Sequence, residues 1–438
     1  MNEKMKRIFI SRLKYSSAAG IDRIRPEKFE SNLDQEVSKI VENIESGKYR
    51  FSPYKEMLVL KGRSKFPRVI SIPTVRDKLV LSWVLEQLNE TFLAKRQFVY
   101  EIISKITCDL RDGKIYYRKI DISGFYDNIN HELLESDLKT QIADQNLLAL
   151  IRLAIKNPTT PVNQKAKELN SKGVPQGIPI SNYLANFFGR RIDHVVADTS
   201  VTFTRYVDDI LLLSSSQKDL SKANEELIDK IRSCGLEVNE EKSRYGILSE
   251  GFDYLGYSFS EKNGFPAVGI RRSSYEKHYL AILKIFSSFS NKKKKGHSPS
   301  LDRLAWDLNL KVTGAILDGE RYGWLFFFSQ IDEDSKQLYA LDSFIDSMLK
   351  KNGLSRDNLG IKKHIRAFWE IRKNLKNTKY IPNLDSYSLE KKKIFLLNVC
   401  GLSQEEVDLM SDESIAYEFK KRAYRDIREL EKDMSSVS

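Results

Sequence analysis

Two adjacent carboxylates, Asp208 and Asp209, stand between the segment Phe203-Thr-Arg-Tyr-Val207 and the apolar run Ile210-Leu-Leu-Leu213. The pattern reads as two strands joined by a tight turn. Ionised carboxylates in such a setting call for a cation. An Asp-Asp pair is also an ordinary turn dipeptide, but a third carboxylate, Asp121, closes a second strand-like segment, Lys114–Asp121, and two such sites make coincidence a poor explanation. Magnesium takes hard oxygens and keeps water and substrate in its shell, so two or three carboxylates from separate strands suffice. The chemistry such a set supports is phosphoryl transfer with two ions about 3.5–4 Å apart. Asp121 and Asp208 are the primary expected ligands, with Asp209 as an outer or structural partner.

Four more blocks surround these carboxylates along the chain. Lys61 to Lys78 is a basic segment around Arg68-Val-Ile-Ser-Ile-Pro73, and its guanidinium fork suits phosphate oxygens. Gly173-Val-Pro-Gln176-Gly177-Ile-Pro-Ile-Ser181 is a turn opening an apolar helix, with Ser181 expected as its cap. Gly235-Leu-Glu-Val-Asn-Glu-Glu-Lys242 and Phe252-Asp-Tyr254-Leu255-Gly256-Tyr-Ser-Phe259 follow, the latter an aromatic hairpin.

In this order, across roughly residues 18 to 260, the blocks resemble bacterial reverse transcriptases related to retron and group II intron proteins, and Val312-Thr-Gly314 with Tyr322-Gly-Trp324 and a long helical tail looks closer to the defence-associated (unknown-group) enzymes. The resemblance implies an α+β right-hand polymerase with an antiparallel palm sheet. It implies two Mg²⁺ ions on Asp121, Asp208 and Asp209, completed by the Ile122 carbonyl, and it makes Lys242 the acid that protonates pyrophosphate. Lys65 and Arg68 become triphosphate contacts, Gln176 and Gly177 the nucleotide platform, and Gly177 the point where backbone nears the base pair. Tyr126 takes the place of the aromatic gate that excludes a ribose 2'-hydroxyl and so favours deoxynucleotides. Tyr254, Leu255 and Gly256 resemble the primer grip, and Val312, Thr313 and Gly314 a thumb segment that contacts structured RNA.

Composition agrees with a polyanionic partner. In 438 residues, 72 Lys and Arg outnumber 60 Asp and Glu, giving +12, and 22 Phe with 20 Tyr supply faces for base stacking. There is no transmembrane run or signal-like start, which argues against a membrane role. Three scattered cysteines fit a reducing cytoplasm and spell no zinc knuckle, and no motif of a fused nuclease is evident.

The expected organisation is fingers over 1–110, a palm with an inserted fingers segment over 111–262, and an α-helical thumb and extension over 263–438. Leu33 to Ile44 has the spacing of an amphipathic helix, and helical periodicity recurs over Leu301–Asp318, Tyr339–Lys351 and from Tyr417 onward. Ser287 to Pro299, with its lysine run, reads as an exposed loop, and Arg321 to Gln330 as an aromatic core cluster.

The expected activity is RNA-directed DNA synthesis from dNTPs on a dedicated noncoding RNA template, in antiphage defence. The alternatives are a retron-type or group II intron-type enzyme of a mobile element, template-free or protein-primed synthesis, and a non-catalytic RNA-binding protein. Oligomeric state is left open by the sequence.

Overall fold

The computed structural model describes residues 1–15, 18–60, 67–91, 98–164, 168–193, 200–296, 298–332 and 336–432. By packing, the chain divides into two compact units: Met1–Arg96 with Lys114–Gly246, and Gln97–Gly113 with Ile247–Ser438. Helix Val99–Arg111 therefore packs with the C-terminal half, against strand Phe265–Ile270, although its sequence position places it at the end of the expected fingers.

The first unit holds strands β1 (Tyr54–Val59), β2 (Arg68–Ile72), β3 (Tyr116–Asp121), β4 (Thr159–Thr160), β5 (Val201–Tyr206), β6 (Asp209–Ser214) and β7 (Arg244–Ile247). They form two sheets, in the orders β2-β1-β4 and β5-β6-β3-β7. In the second sheet β6 lies between β5 and β3, antiparallel to both, and that position explains its sequence. A strand covered on both faces reads as a continuous apolar run, and Ile210, Leu211, Leu212 and Leu213 are all fully buried. Helix Gln217–Ser233 packs against β3, β5 and β6. It starts where the Ser216 hydroxyl accepts the Asp219 N–H at 3.3 Å and buries Leu220, Ala223, Leu227 and Ile231 at helical spacing. Full burial of each large aliphatic side chain contributes roughly 1.5–3 kcal/mol. Helix Leu33–Glu45 buries the expected stripe Val37, Ile40, Val41 and Ile44.

One buried charge braces this unit. Asp77 is fully inaccessible, and its carboxylate accepts from the Tyr49 hydroxyl (2.7 Å), the Ser52 amide (3.0 Å) and Arg76 Nη2 (3.1 Å). A carboxylate survives burial only when its oxygens are satisfied in this way.

The second unit carries the antiparallel sheet β10-β9-β8, made of β8 (Phe252–Tyr254), β9 (Tyr257–Lys262) and β10 (Phe265–Ile270), and a short hairpin of β11 (Ala315–Leu317) and β12 (Glu320–Tyr322). The rest is helical, including Arg272–Lys294, Leu301–Thr313, Lys336–Lys351, His364–Lys373 and Asp412–Lys432. Antiparallel sheets with a helical C-terminal region give the expected α+β class; the parallel β1–β4 pair is a minor exception.

Three expectations change here. The lysine run does not begin a loop: helix Arg272–Lys294 continues through Lys292, Lys293 and Lys294, and the first breaker is Gly296. Lysine is a good helix former, and cations in a last turn suit the helix dipole. The helix starting at Leu301 stops at Thr313 rather than Asp318, because Gly314 turns to φ +65° and releases the chain into β11.

Finally, Val312, Thr313 and Gly314 present no surface to an RNA. Val312 and Thr313 are fully buried, and the Thr313 hydroxyl donates to the Asn309 and Gly314 carbonyls. A side chain at Gly314 would meet the Tyr322 carbonyl, so the glycine is required by packing against β12. The aromatic cluster is core, as expected: Trp324, Leu325 and Phe328 are buried.

A buried polar chain links three helices of this unit. Asp342 accepts from the backbone amides of His364 (2.8 Å) and Ile365 (3.2 Å) and from His364 Nδ1 (2.9 Å). The chain continues from His364 Nε2 to His278 Nε2 at 3.1 Å, and the His278 ring stacks on Trp324 with centroids 4.0 Å apart. Burial pushes the Asp342 carboxyl up, but the His364 hydrogen bonds outweigh it and hold the group below its ordinary value. Burial drives His278 well below the usual imidazole range, with the His364 and Lys311 charges adding to it.

Candidate active site

The turn between β5 and β6 is two residues long, since Tyr206 pairs with Asp209 across it. Val207 therefore takes φ +60°, a left-handed conformation that a two-residue hairpin turn can require but a β-branched residue adopts only under strain. Arg205 stabilises it. Its guanidinium, 7% exposed, donates to the Val207 carbonyl at 3.0 Å and is held by Asp193 through Nε and Nη2 (2.5 and 2.8 Å). Gly189 makes room, because a Cβ there would strike that guanidinium. The result fixes Asp208 at the tip of the hairpin.

Register then brings the other carboxylates to the same end of the sheet. Asp121 lies directly opposite Asp209 in the β3–β6 pair, and the Asp208 carbonyl accepts the Ile122 N–H at 3.2 Å. Like charges opposite one another weaken a sheet, and this pair is compensated by lysines. Lys119 Nζ lies 3.4 Å from Asp209 Oδ2, and Lys242 Nζ reaches both Asp121 oxygens at 3.1 and 2.9 Å. The segment carrying Lys242 is stitched to the end of β3: the Ser123 amide donates to the Glu237 carbonyl (2.8 Å) and the Asn239 amide to the Asp121 carbonyl (2.7 Å).

The carboxylates remain electrostatically crowded. Burial, opposed by Lys119 but reinforced by Asp208 and Asp121, pushes Asp209 up to about 6. Burial and then the Asp121 charge raise Asp208 as well, with Lys242 and Arg68 opposing. Such a cluster fits a divalent cation. Among the described residues no three His, Cys, Asp or Glu side chains close into a metal cage, and an open pair of carboxylates is what magnesium, bringing water and substrate oxygens, asks for.

The neighbouring blocks converge on this end of the sheet. Arg68, exposed at the start of β2, is close enough for its charge to act on both Asp208 and Tyr126. The Ser71 amide donates to the Gln176 carbonyl at 2.7 Å, the Val174 amide to the Tyr126 carbonyl at 2.7 Å, and Gln176 Nε2 to Asp127 Oδ1 at 3.2 Å. The Tyr126 hydroxyl donates to Asn182 at 2.9 Å, and burial followed by the Asp208 charge pushes it up to about 12.

Two roles read from the sequence take a different form. Gly177, at φ +103°, is needed because a Cβ would sit 2.6 Å from Ile70 Cγ2, so its close approach is to β2. Ser181 is the first helical residue, not the cap, and its hydroxyl donates to the Pro175 and Ile178 carbonyls (2.6 and 2.8 Å).

Lys65 lies outside the described residues. Tyr254, Leu255 and Gly256 belong to the second unit, where they form a tight turn with Leu255 at φ +47° and Gly256 at φ +80°. Tyr254 and Leu255 are buried.

Sequence reading missed Arg205, Lys119 and Asn182. Lys119 had a usable signal: two residues before Asp121 on a strand, it shares that residue's face.

Residues 59–259 match the family described as reverse transcriptase (RNA-dependent DNA polymerase). The chain carries a reverse transcriptase domain, and the carboxylate hairpin lies inside it. Its relatives include the protein YkfC of Escherichia coli K12, 23% identical over 350 residues that make up 68% of this chain and 87% of that one. The group II intron-encoded protein LtrA of Lactococcus lactis is 27% identical over 39% of this chain and 30% of its own length. The Escherichia coli retron Ec86 reverse transcriptase is 27% identical over 41% and 48%. The chain thus spans less than half the length of these intron and retron relatives.

Proposed function

We propose that this protein is an RNA-directed DNA polymerase that copies a dedicated noncoding RNA into DNA, in the service of antiphage defence. The observation that carries the polymerase reading is the cross-strand Asp121–Asp209 pair with Asp208 at the adjoining turn, faced by Arg68. In this reading the first unit supplies fingers and palm, and the helical C-terminal region the thumb and its extension.

Asp121 and Asp208, with the Ile122 carbonyl, would hold two magnesium ions. When bound, these supply Lewis acidity to the primer hydroxyl and the triphosphate. The protein's own groups do the rest. Arg68 binds triphosphate oxygens as a fork, and Gln176 presents the nucleotide platform. Tyr126, braced by Asn182, sets its ring under the sugar and excludes a 2'-hydroxyl. Lys242 gives a proton to the departing pyrophosphate. The excess of cationic side chains holds the RNA template and DNA product.

The test is to purify the protein from cells carrying its native locus and sequence the associated nucleic acids, alongside Asp208→Ala. One noncoding RNA, with complementary DNA in the wild type only, is the expected result. DNA in both samples would overturn the catalytic assignment. RNA without DNA in either, before and after phage infection, would leave the non-catalytic RNA-binding reading. DNA copied from an intron or branched RNA would make it a mobile-element enzyme.

A further inference from the structure

Among the described residues, two lysines pair with the carboxylates at the sheet end, and they are held differently. Lys119 lies on β3 itself, is largely buried, and pairs with Asp209. Lys242 is 55% exposed on a segment outside the sheet strands, yet its ammonium straddles both oxygens of Asp121 and its charge also acts on Asp208. One partly exposed monovalent charge therefore serves the two carboxylates proposed to bind divalent cations.

We infer that Lys242 is a resident counter-ion that occupies the Asp121 carboxylate until a divalent cation arrives, and is then released toward the substrate side. The inference rests on the metal role proposed for Asp121 and Asp208. Its chemistry is competition at one carboxylate: an ammonium bridging both oxygens at 2.9 and 3.1 Å takes up part of their lone pairs and its positive charge disfavours a second cation there. Withdrawal is inexpensive, because a partly exposed Lys–Asp pair is a weak one. The four-carbon stem allows it. Lys119 cannot substitute, since it is committed to Asp209, and Arg68 acts on Asp208 without an ion pair to Asp121 among the described residues. Loading of the site and arming of the proposed proton donor become one event, so the acid is not set free while the carboxylates lack their cation.

The experiment is Mn²⁺ binding to the full chain without nucleotide, read by calorimetry or electron paramagnetic resonance. Lys242→Gln, which keeps the stem and removes the charge, is expected to bind about three- to tenfold more tightly than wild type. Lys242→Arg, which keeps the charge, is expected to match wild type and serves with thermal unfolding as the folding control. Equal affinity in the wild type and Lys242→Gln overturns the inference.

A second measurement uses wild type alone: acylation of Lys242, followed by mass spectrometry, should rise severalfold on adding Mn²⁺, and unchanged labelling counts equally against release. Asp208→Asn separates the layers. If it leaves Mn²⁺ binding intact, the carboxylate site itself was misassigned. If it abolishes binding while Lys242→Gln has no effect, only the counter-ion role fails.

Discussion

The two units treat carboxylates held away from open solvent in opposite ways, Asp342 in the second and Asp121, Asp208 and Asp209 in the first. In the second unit Asp342 has three donors and a histidine chain behind it, and its carboxyl is held below the ordinary value. In the first unit Asp208 and Asp209 are raised, and Asp121 faces Asp209 across the ladder. A structural cluster is closed by its own hydrogen bonds. In the proposed function the first unit's carboxylates are left crowded because a ligand would supply the relieving interaction.

The contrast is most directly tested at its two carboxylates. Asp208→Asn is expected to lower primer extension by about 10³-fold or more, as loss of a metal ligand should, while leaving the melting temperature unchanged or slightly higher. A large loss of stability in that variant would show the crowded cluster to be structural after all. Asp342→Ala should do the reverse. Breaking a buried hydrogen-bonded pair costs about 3–5 kcal/mol, and urea unfolding followed by hydrogen exchange should place the loss in helices Lys336–Lys351 and His364–Lys373.

Arg205→Lys sits between these extremes. Lysine cannot hold Asp193 and the Val207 carbonyl together, so a drop in kcat of about tenfold with KM for dNTP nearly unchanged is expected. An unaltered kcat would show that the hairpin turn needs no brace.

Acidification should move the two units in opposite directions, with the smallest effect of the four. Asp209 titrates higher folded than unfolded, so its contribution to stability is full below the ordinary carboxylate value and is lost as pH rises through about 6. His278 titrates lower when folded, so its contribution is full above the ordinary imidazole value and is lost as pH falls below it. Between pH 7 and 5, segment-resolved exchange without added metal should show protection rising around β6 and falling around helix Arg272–Lys294. Parallel changes in both would contradict the contrast.

Much of this was legible in the chain, for physical reasons. The run Ile210–Leu213 announced a central strand because burial on both faces leaves no polar position, and the stripe from Val37 to Ile44 announced a helix because one face must be apolar. Asp121, Asp208 and Asp209 stood out because charge next to such strands needs a reason. What stayed hidden depends on distant pairing. Arg205 matters through Gly189 and Asp193, and nothing local marks a guanidinium that will lie over a glycine sixteen positions earlier. The seat of Gly314 against Tyr322 of β12 was hidden by the helical periodicity through Asp318. The lysine run misled because charge density was read as loop, although lysine extends helices well.

The seat of Gly177 on Ile70 has a consequence for how such proteins can be recombined. Because a Cβ at 177 would fall 2.6 Å from Ile70 Cγ2, and the Gln176 carbonyl is bonded to the Ser71 amide, the β1–β2 hairpin and the Pro175–Gly177 turn form one interlocking part. A chimera that exchanges the hairpin alone inherits a mismatched joint, whereas exchanging both pieces together transfers the fit intact. Residues 70 and 177 are a unit of exchange as much as a unit of packing.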